Sequence, residues 1–178
     1  MTALADTKDG ERPVERWNPE HCGEMDMVIN SDGSWWHEGS RITRKGLVEL
    51  FASILRKDAD GVTYLVTPVE KIAIVVERAH FIATRVDIEG EGEAQRVFFT
   101  TNMDEVVEAG HDNPIRVETD PETLEPSPFV TVRGRLEASL ARPVFYELVN
   151  AAVEKDHQLG VFAGGEFFPL GPKGAHEI

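Results

Sequence analysis

The sequence is poor in cysteine, in long apolar runs and in positive charge, and each shortage excludes a class of protein. The one cysteine, Cys22, cannot form an intrachain disulfide, which suits a reducing compartment such as the cytoplasm. No stretch approaches the roughly 20 consecutive apolar residues of a membrane span. The polar start also lacks the apolar run of a signal peptide. We therefore predict a globular, cytoplasmic protein without a membrane span.

Positive charge is scarce in relation to negative charge. The chain has 18 basic and 32 acidic residues, and its formal net charge is −14. An excess of negative charge repels the phosphate backbones of nucleic acids unless the basic residues are strongly segregated on one face. We therefore predict that the protein does not bind nucleic acid polymers.

The motifs of common cofactor and metal sites are absent too. Gly33 and Gly39 lie too far apart for a dinucleotide fingerprint, and no Walker-type Gly-Lys-Ser/Thr occurs. There is no Gly-x-Ser-x-Gly elbow of a serine hydrolase. His21, Cys22 and His157 do not have the spacing of a zinc site. The sequence predicts neither a cofactor nor a metal.

The length and the hydrophobic content of the chain fit two small domains. The chain has 178 residues, of which 41% are hydrophobic, enough for a core in each domain. Residues 1–16 mix charge, glycine and proline without periodicity, and they predict a disordered tail. We place the N-terminal domain at residues 17–78 and the C-terminal domain at residues 79–178. The proline-rich residues 119–128 predict an irregular loop and an internal boundary.

The first domain is predicted to contain a hairpin that leads into a helix. Residues 25–30 and 34–37 have strand character, and Asn30 to Gly33 between them is a strong turn signal. Trp35 and Trp36 face opposite sides of the second strand. One of them should be core and the other should cover an interface or a ligand. The sequence does not say which.

Two amphipathic helices are predicted from apolar residues at helical spacing. The stripe of the first helix consists of Leu47, Leu50, Phe51, Ile54 and Leu55. The second helix has Pro143 at a first helical position, and its stripe consists of Phe145, Leu148, Val149, Ala152 and Val153. Each member of the second stripe lies 98 positions after its counterpart, as position 145 does after position 47.

The common offset favours an internal duplication. Any two amphipathic helices can be aligned on their stripes, so the stripes alone prove nothing. At the same offset, however, Arg44 matches Arg142 and Glu49 matches Glu147. The predicted fold is α+β, with two halves that each pack a helix on antiparallel strands.

Most of the remaining chain has strand character. The predicted strands of the middle of the chain cover residues 62–67, 69–77, 81–89 and 95–101, with a brief strand at 115–118 and another at 129–133. Residues 160–163 and 166–170 flank Gly164-Gly165 and predict a final hairpin.

Both helix starts carry arginine, where a cation is normally disfavoured by the helix dipole. Arg41, Arg44 and Lys45 crowd the first start, and Arg133, Arg135 and Arg142 surround the second. A phosphate or carboxylate would resolve this by accepting hydrogen bonds from the helix end and from the guanidiniums. The alternative is an ordinary surface network in which Glu38 and Glu137 pair with these arginines.

His37 is the one candidate for catalysis. Together with Glu38 and Asp32 it could supply general acid and base groups. A histidine in a tryptophan-rich hairpin is more often a packed, hydrogen-bonded residue. Glu70 and Lys71 begin an apolar strand and point to opposite faces, so at most one of them lines a given pocket.

Several of these motifs together resemble one bacterial family, the domain of unknown function family 1285. In the first half they are Trp17-Asn18-Pro19, Cys22-Gly23, the stretch from Asp32 to Arg44, and the stretch from Leu65 to Lys71. In the second half they are Thr100-Thr101-Asn102, the stretch from Val130 to Gly134, the stretch from Arg142 to Leu148, and the stretch from Gly164 to Pro169. Two places depart from the family pattern: Arg41 stands where the family has proline, and the loop at Arg135 lacks a glycine.

The resemblance implies a core built by duplication of an α+β motif and a C-terminal half that is superficially like a pleckstrin-homology domain. It further implies a nucleotide-type ligand between the halves and a role in signal transduction. No catalytic residue follows from it, because the family has none assigned.

We therefore expect a non-catalytic binding or signalling protein that holds a small anionic, nucleotide-type ligand in the cleft between its two domains. The predicted ligand-binding residues are Trp36, His37, Arg41, Arg44, Glu70, Lys71, Asn102, Arg133 and Arg142. One alternative is a hydrolase or transferase that uses His37 with a nearby carboxylate. Another is a protein-interaction module that recognises a signalling partner through its pleckstrin-like half.

Overall fold

The structure, a computed structural model, describes residues 13–172 of the chain. The chain divides into two compact units. The first comprises Met1–His80 with Gly134–Leu136, and the second comprises Phe81–Arg133 with Glu137–Ile178. Both units mix strands and helix, which confirms the predicted α+β class in its broad form. Neither helix within residues 13–172 combines the length and the apolar character that crossing a membrane requires.

The first unit is built on one six-stranded sheet. Its elements are β1 (His21–Ile29), β2 (Trp35–His37), β3 (Ser40–Arg41), α1 (Lys45–Ser53), β4 (Leu55–Lys57), β5 (Thr63–Val66) and β6 (Glu70–Val76). The strands lie in the order β3-β2-β1-β6-β5-β4. The prediction of purely antiparallel strands is wrong for the centre of this sheet, because β1 and β6 run parallel.

The predicted hairpin of the first unit is confirmed. β1 and β2 pair antiparallel, with Val28 opposite Trp36. The turn between them closes through the amide of Gly33, which donates to the carbonyl of Asn30 at 2.9 Å. Gly33 has φ 86°, a left-handed conformation that glycine adopts without steric cost. The tryptophan question is also settled: Trp35 is 1% exposed and stacks on Phe51, whereas Trp36 is only half-buried.

The first helix is shorter than its apolar stripe predicts. α1 ends at Ser53, Ile54 is its C-cap, and Leu55 already belongs to β4. Leu50 is 42% exposed, so its assignment to the core is wrong. The segment after Lys57 does not end the helix, as predicted, but turns the hairpin between β4 and β5.

The second unit contains two sheets. Its elements are β7 (Phe81–Glu89), β8 (Arg96–Thr101), β9 (Val106–Glu108), β10 (Ile115–Thr119), β11 (Pro126–Arg133), β12 (Leu136–Leu140), α2 (Arg142–Asn150), β13 (Val153–Lys155), β14 (Gln158–Ala163) and β15 (Glu166–Pro172). Six strands lie in the order β10-β11-β12-β7-β8-β9, and three form the sheet β13-β14-β15. Here too one pair, β7 with β12, is parallel. The predicted final hairpin is confirmed as β14 and β15.

The proline-rich segment 119–128 is not the irregular boundary that its composition predicts. β11 begins at Pro126 and pairs with β10, with Pro126 opposite Thr119 and Pro128 opposite Val117. The neighbouring strand β12 has five residues against eight in β11, and the two are joined by a tight turn. The start of β11 therefore extends past β12, where a missing amide N–H costs no ladder hydrogen bond. The segment lies inside the second unit.

The duplication is visible in the order of elements. α1 is followed by the antiparallel strands β4, β5 and β6, and α2 is followed by the antiparallel strands β13, β14 and β15. Both helices have nine residues. β4 starts at 55 and β13 at 153, the same offset of 98 that the apolar stripes show. The two halves thus repeat one helix and three strands.

The second stripe also ends early. α2 buries Val144, Phe145 and Leu148. Ala152 lies beyond the helix, and Val153, in β13, is 43% exposed. The predicted placement of these last two residues on a helical core stripe is therefore wrong.

The predicted tail falls mostly outside the described residues, at positions 1–12. Its last residues have definite structure, since Val14–Arg16 form a 3-10 turn with Val14 buried. Arg56 explains this order, because its Nη1 donates to the carbonyls of Val14 at 2.8 Å and of Trp17 at 2.6 Å. These bonds attach the segment to β4.

Candidate functional site

The start of α1 presents an arginine and no acid. Arg44 is the N-cap, its side chain makes no capping hydrogen bond, and the first turn contains no acidic residue. The first amide N–H groups of a helix have no partner within the helix. The start of α1 is therefore a cluster of donors with the positive end of the helix dipole behind it.

The start of α2 has the same character. Ala141 is the N-cap, Arg142 and Pro143 open the helix, and the first turn again has no capping side chain and no acid. Within residues 13–172, the exposed guanidiniums of Arg44 and Arg142 have neither a hydrogen-bond partner nor an ion-pair partner. The two arginines occupy equivalent positions of the repeat, so the unusual feature occurs twice.

The predicted site residues of the second unit meet at the beginning of β7. The guanidinium of Arg133 lies 5.3 Å from the ring centroid of Phe81. Asn102 accepts a hydrogen bond from the amide of Ile82 through Oδ1 at 3.1 Å. The residue before Arg142, Ala141, donates its amide to the carbonyl of Ala83 at 3.0 Å. Two predicted residues, Arg133 and Asn102, and the neighbour of a third, Arg142, are thus attached to consecutive residues of one strand.

Two of the predicted cations are already paired with acids. Arg133 donates from Nη1 to both carboxylate oxygens of Glu105, at 2.8 and 3.2 Å. Lys71 donates to Asp58 at 3.0 Å, and its ammonium group lies 4.4 Å from the ring centroid of Tyr64. Both residues are therefore less available to an anion than Arg44 and Arg142 are.

The predicted residues of the first unit fall into two groups. Trp36 pairs with Val28 near one end of β1, whereas Glu70 pairs with His21 at the other end. At 3.3 Å per residue the two ends are about 20 Å apart. The structure therefore separates Glu70 and Lys71 from Trp36, His37 and Arg41.

His37 has no carboxylate hydrogen-bonded to it within residues 13–172. Asp32, one of the two carboxylates predicted to assist it, instead accepts hydrogen bonds from the amide and the hydroxyl of Ser34. These two hydrogen bonds lower the pKa of Asp32, and the bond from the hydroxyl has the larger effect.

Of the glutamates in the predicted surface network, Glu137 accepts two hydrogen bonds from Arg116, at 2.6 and 2.8 Å.

A polar network around Asp58 was not predicted. Asp58 binds Arg56 at 2.6 Å and Lys71 at 3.0 Å. Burial alone would raise the pKa of Asp58, but the hydrogen bonds from Arg56 and Lys71 outweigh it, and the pKa is lowered. The sequence indicated only a turn after Lys57. It did not indicate the partners of Asp58, because Arg56 and Lys71 come from the separate strands β4 and β6.

A small cavity beside Trp36 was also missed. It has a volume of about 330 Å³ and is lined by Asp26, Val28, Asn30, Trp36, Gly39 and Glu77. Only Trp36 among these residues was a predicted site residue. The cavity depends on the parallel pairing of β1 with β6, which no local sequence pattern indicates.

Comparisons with known proteins agree with the two-part architecture. The family model described as the N-terminal domain of DUF1285, a domain of unknown function, matches residues 12–79. The model of the DUF1285 C-terminal domain matches residues 80–170. No curated protein matches the chain.

Two solved structures are similar to the chain. A DUF1285 family protein from Silicibacter pomeroyi DSS-3 is 43% identical, with a TM-score of 0.88 over 96% of this chain and 93% of that one. A DUF1285 family protein from Shewanella baltica OS155 is 26% identical, with a TM-score of 0.53 over 70% of this chain and 91% of that one.

Proposed function

The chain belongs to the DUF1285 family, and we propose that it is a non-catalytic binding protein for a small anionic ligand of the nucleotide type. One observation carries the proposal. Arg44 and Arg142 stand at equivalent, uncapped helix starts and have no partner within residues 13–172. A bound phosphate would give both the guanidiniums and the helix ends the acceptor that they lack.

Energetics support this assignment. A cation at a helix start costs about 0.3 to 1 kcal/mol through the dipole. The chain carries 14 more negative than positive charges, so an acidic neighbour for each arginine would be easy to supply. The first turns nevertheless contain none. An arginine held at an unfavourable place without an internal partner is well suited to an external anion.

The nucleotide type of the ligand and a signalling role rest on the family resemblance, and the cytoplasmic location rests on the scarcity of cysteine. We also infer that the second unit is superficially like a pleckstrin-homology domain, an inference supported by its two sheets and single helix. A signalling protein would be a natural partner for such a unit.

Isothermal titration calorimetry with AMP, ADP and inorganic phosphate tests the proposal. We expect Arg44→Ala and Arg142→Ala each to weaken binding about 5- to 30-fold, because a charge-assisted hydrogen bond contributes about 1 to 2 kcal/mol. Arg16→Ala and Arg96→Ala are the control variants. Each removes one exposed positive charge away from the helix starts, and neither should change binding by more than about twofold. The proposal fails if no phosphate compound binds, or if Arg44→Ala and Arg142→Ala bind as wild type does.

A further inference from the structure

The cavity beside Trp36 has a chemistry opposite to that of the helix starts. Its walls come from three adjacent strands of the first unit and the residues that follow them. Asp26 and Glu77 are its charged residues, and no lysine or arginine of the described residues 13–172 lines it. Val28 and the ring of Trp36, which are directly opposite each other across β1 and β2, supply its apolar surface.

The indole of Trp36 is held in place by a short chain of hydrogen bonds. Its Nε1–H donates to Oγ of Ser34 at 2.8 Å, and the hydroxyl of Ser34 donates to Asp32. The polar edge of the ring is therefore occupied. The aromatic face is left for contact with a ligand, and tryptophan is the side chain whose face attracts cations most strongly.

The two carboxylates retain free acceptor capacity. Glu77 accepts the amide of Ser31 through Oε2 at 2.9 Å, which orients the group and leaves Oε1 available. Within residues 13–172 the carboxylate of Asp26 has no hydrogen-bond or ion-pair partner. Two anionic acceptors therefore line a cavity that also has an aromatic wall.

One cation lies close to this cavity without lining it. Arg41 is the partner of Trp36 across β2 and β3, and directly opposite residues of a sheet share a face. Its charge contributes to the lowered pKa of Asp32, after the hydrogen bonds from Ser34. Arg41 therefore lies near Asp32, and the charges on the cavity walls themselves are both negative.

We propose that this cavity binds the ammonium group of an aliphatic amine. The ammonium group would lie between the carboxylates of Asp26 and Glu77, and its methylene groups would contact Val28 and the face of Trp36. An organic cation fits better than a metal ion, because an aromatic ring and a valine offer a metal no ligands. The amine could be a free small molecule or the side chain of a peptide lysine, which share this chemistry.

Nuclear magnetic resonance titration of the full chain at 0.15 M NaCl tests the proposal. The signals to follow are the indole N–H of Trp36 and the amides of Asp26 and Val28. The probes are 1,4-diaminobutane, for a free amine, and Nα-acetyl-lysine methylamide, for a peptide lysine. Nα-acetyl-norleucine methylamide, which lacks the charge, is the matched control probe. At this ionic strength exposed charges are screened beyond about 8 Å, so the acidity of the whole chain contributes little.

We expect Asp26→Asn, Glu77→Gln and Trp36→Leu each to weaken amine binding about 3- to 30-fold. Glu77→Gln keeps an oxygen for the amide of Ser31, so it tests the charge and spares the turn. Glu20→Gln removes an exposed negative charge elsewhere in the same unit and should change binding less than twofold. Thermal unfolding of each variant checks that the fold is retained.

Binding of both amines, or of the lysine compound alone, supports the site and identifies the source of the ligand. The proposal is overturned if neither amine shifts the three signals, if the norleucine compound shifts them equally, or if Glu20→Gln has the same effect as Asp26→Asn. The result is independent of the anion proposal: Arg44→Ala should keep amine binding, and Asp26→Asn should keep phosphate binding.

Discussion

At the scale of single residues, Arg56 is a buried charge that several partners hold. Only 8% of this residue is exposed, and a buried guanidinium is costly unless its donors are paired. Asp58 and the carbonyls of Val14 and Trp17 take those donors. One side chain thereby joins β4, the following hairpin and the N-terminal 3-10 turn.

The neighbouring Tyr64 provides a test of this network by pH titration. Its hydroxyl donates to Oδ2 of Asp60 at 2.8 Å. That bond is the main reason, ahead of burial, that the pKa of Tyr64 is raised to about 12. In Asp60→Asn the acceptor is neutral, so we expect the pKa to fall towards its ordinary value of about 10. The phenolate absorbance measures this directly.

The chain has two tyrosines, and Tyr146→Phe leaves Tyr64 as the single phenol. A raised pKa means that the fold stabilises the protonated phenol, so this stability is fully present below about pH 10 and is lost as the pH rises towards 12. Asp87→Asn, which removes an acid of the second unit, is the control. Equal titration curves for the Asp60→Asn and control proteins would contradict the assigned hydrogen bond.

At the scale of elements, the two repeated helices differ in how deeply equivalent leucines are buried. Leu148 of α2 is 0% exposed, whereas Leu50 of α1 is 42% exposed. We expect Leu148→Ala to lower the free energy of unfolding by about 2 to 5 kcal/mol, through lost transfer energy and a cavity. Leu50→Ala should lower it by less than about 1 kcal/mol. Urea unfolding followed by circular dichroism measures both.

The comparison is matched in residue type, helix length and position in the repeat. If the two substitutions cost the same, the helices would be equally buried, contrary to the structure. All three tryptophans lie at or before position 36, so their fluorescence reports on the first unit. A Leu148→Ala effect confined to circular dichroism would locate the loss in the second unit.

The helices also show how far sequence reasoning extends. Apolar spacing located both helix starts to within a few residues, because the pattern and the arginines are local features. It failed at the helix ends, since Leu55 and Val153 continue the helical period but belong to β4 and β13. Strand pairing overrides a weak local preference there. Only contacts between distant segments decide that competition.

The features of the candidate site likewise divide into those that the sequence could predict and those that it could not. The arginines at the helix starts could be recognised from sequence, because their unusual feature is their position in a local element. The pairing of Arg133 with Glu105 and of Lys71 with Asp58 could not. The cavity beside Trp36 could not be foreseen either, because Glu77 reaches it only through the pairing of β6 with β1.

At the scale of the whole molecule, a formal charge of −14 on 178 residues should destabilise the folded chain by self-repulsion. Raising NaCl from about 0.01 to 0.15 M shortens the screening length from about 30 to about 8 Å. We expect the midpoint of thermal unfolding to rise by about 2 to 4 °C, which corresponds to about 1 kcal/mol for a chain of this size. Differential scanning calorimetry measures the shift.

Screening also weakens attractive pairs, so the sign of this shift is informative. Exposed pairs such as Arg85 with Asp87 and Arg96 with Glu108 are weak, and salt screens their attraction. A falling midpoint would mean that such pairs outweigh the overall repulsion.

Replacing chloride by phosphate at equal ionic strength then separates screening from binding, because a ligand that binds only the folded chain adds stability. Phosphate also strengthens burial of apolar surface in general. The Arg44→Ala/Arg142→Ala double variant should keep that general effect and lose the additional stabilisation.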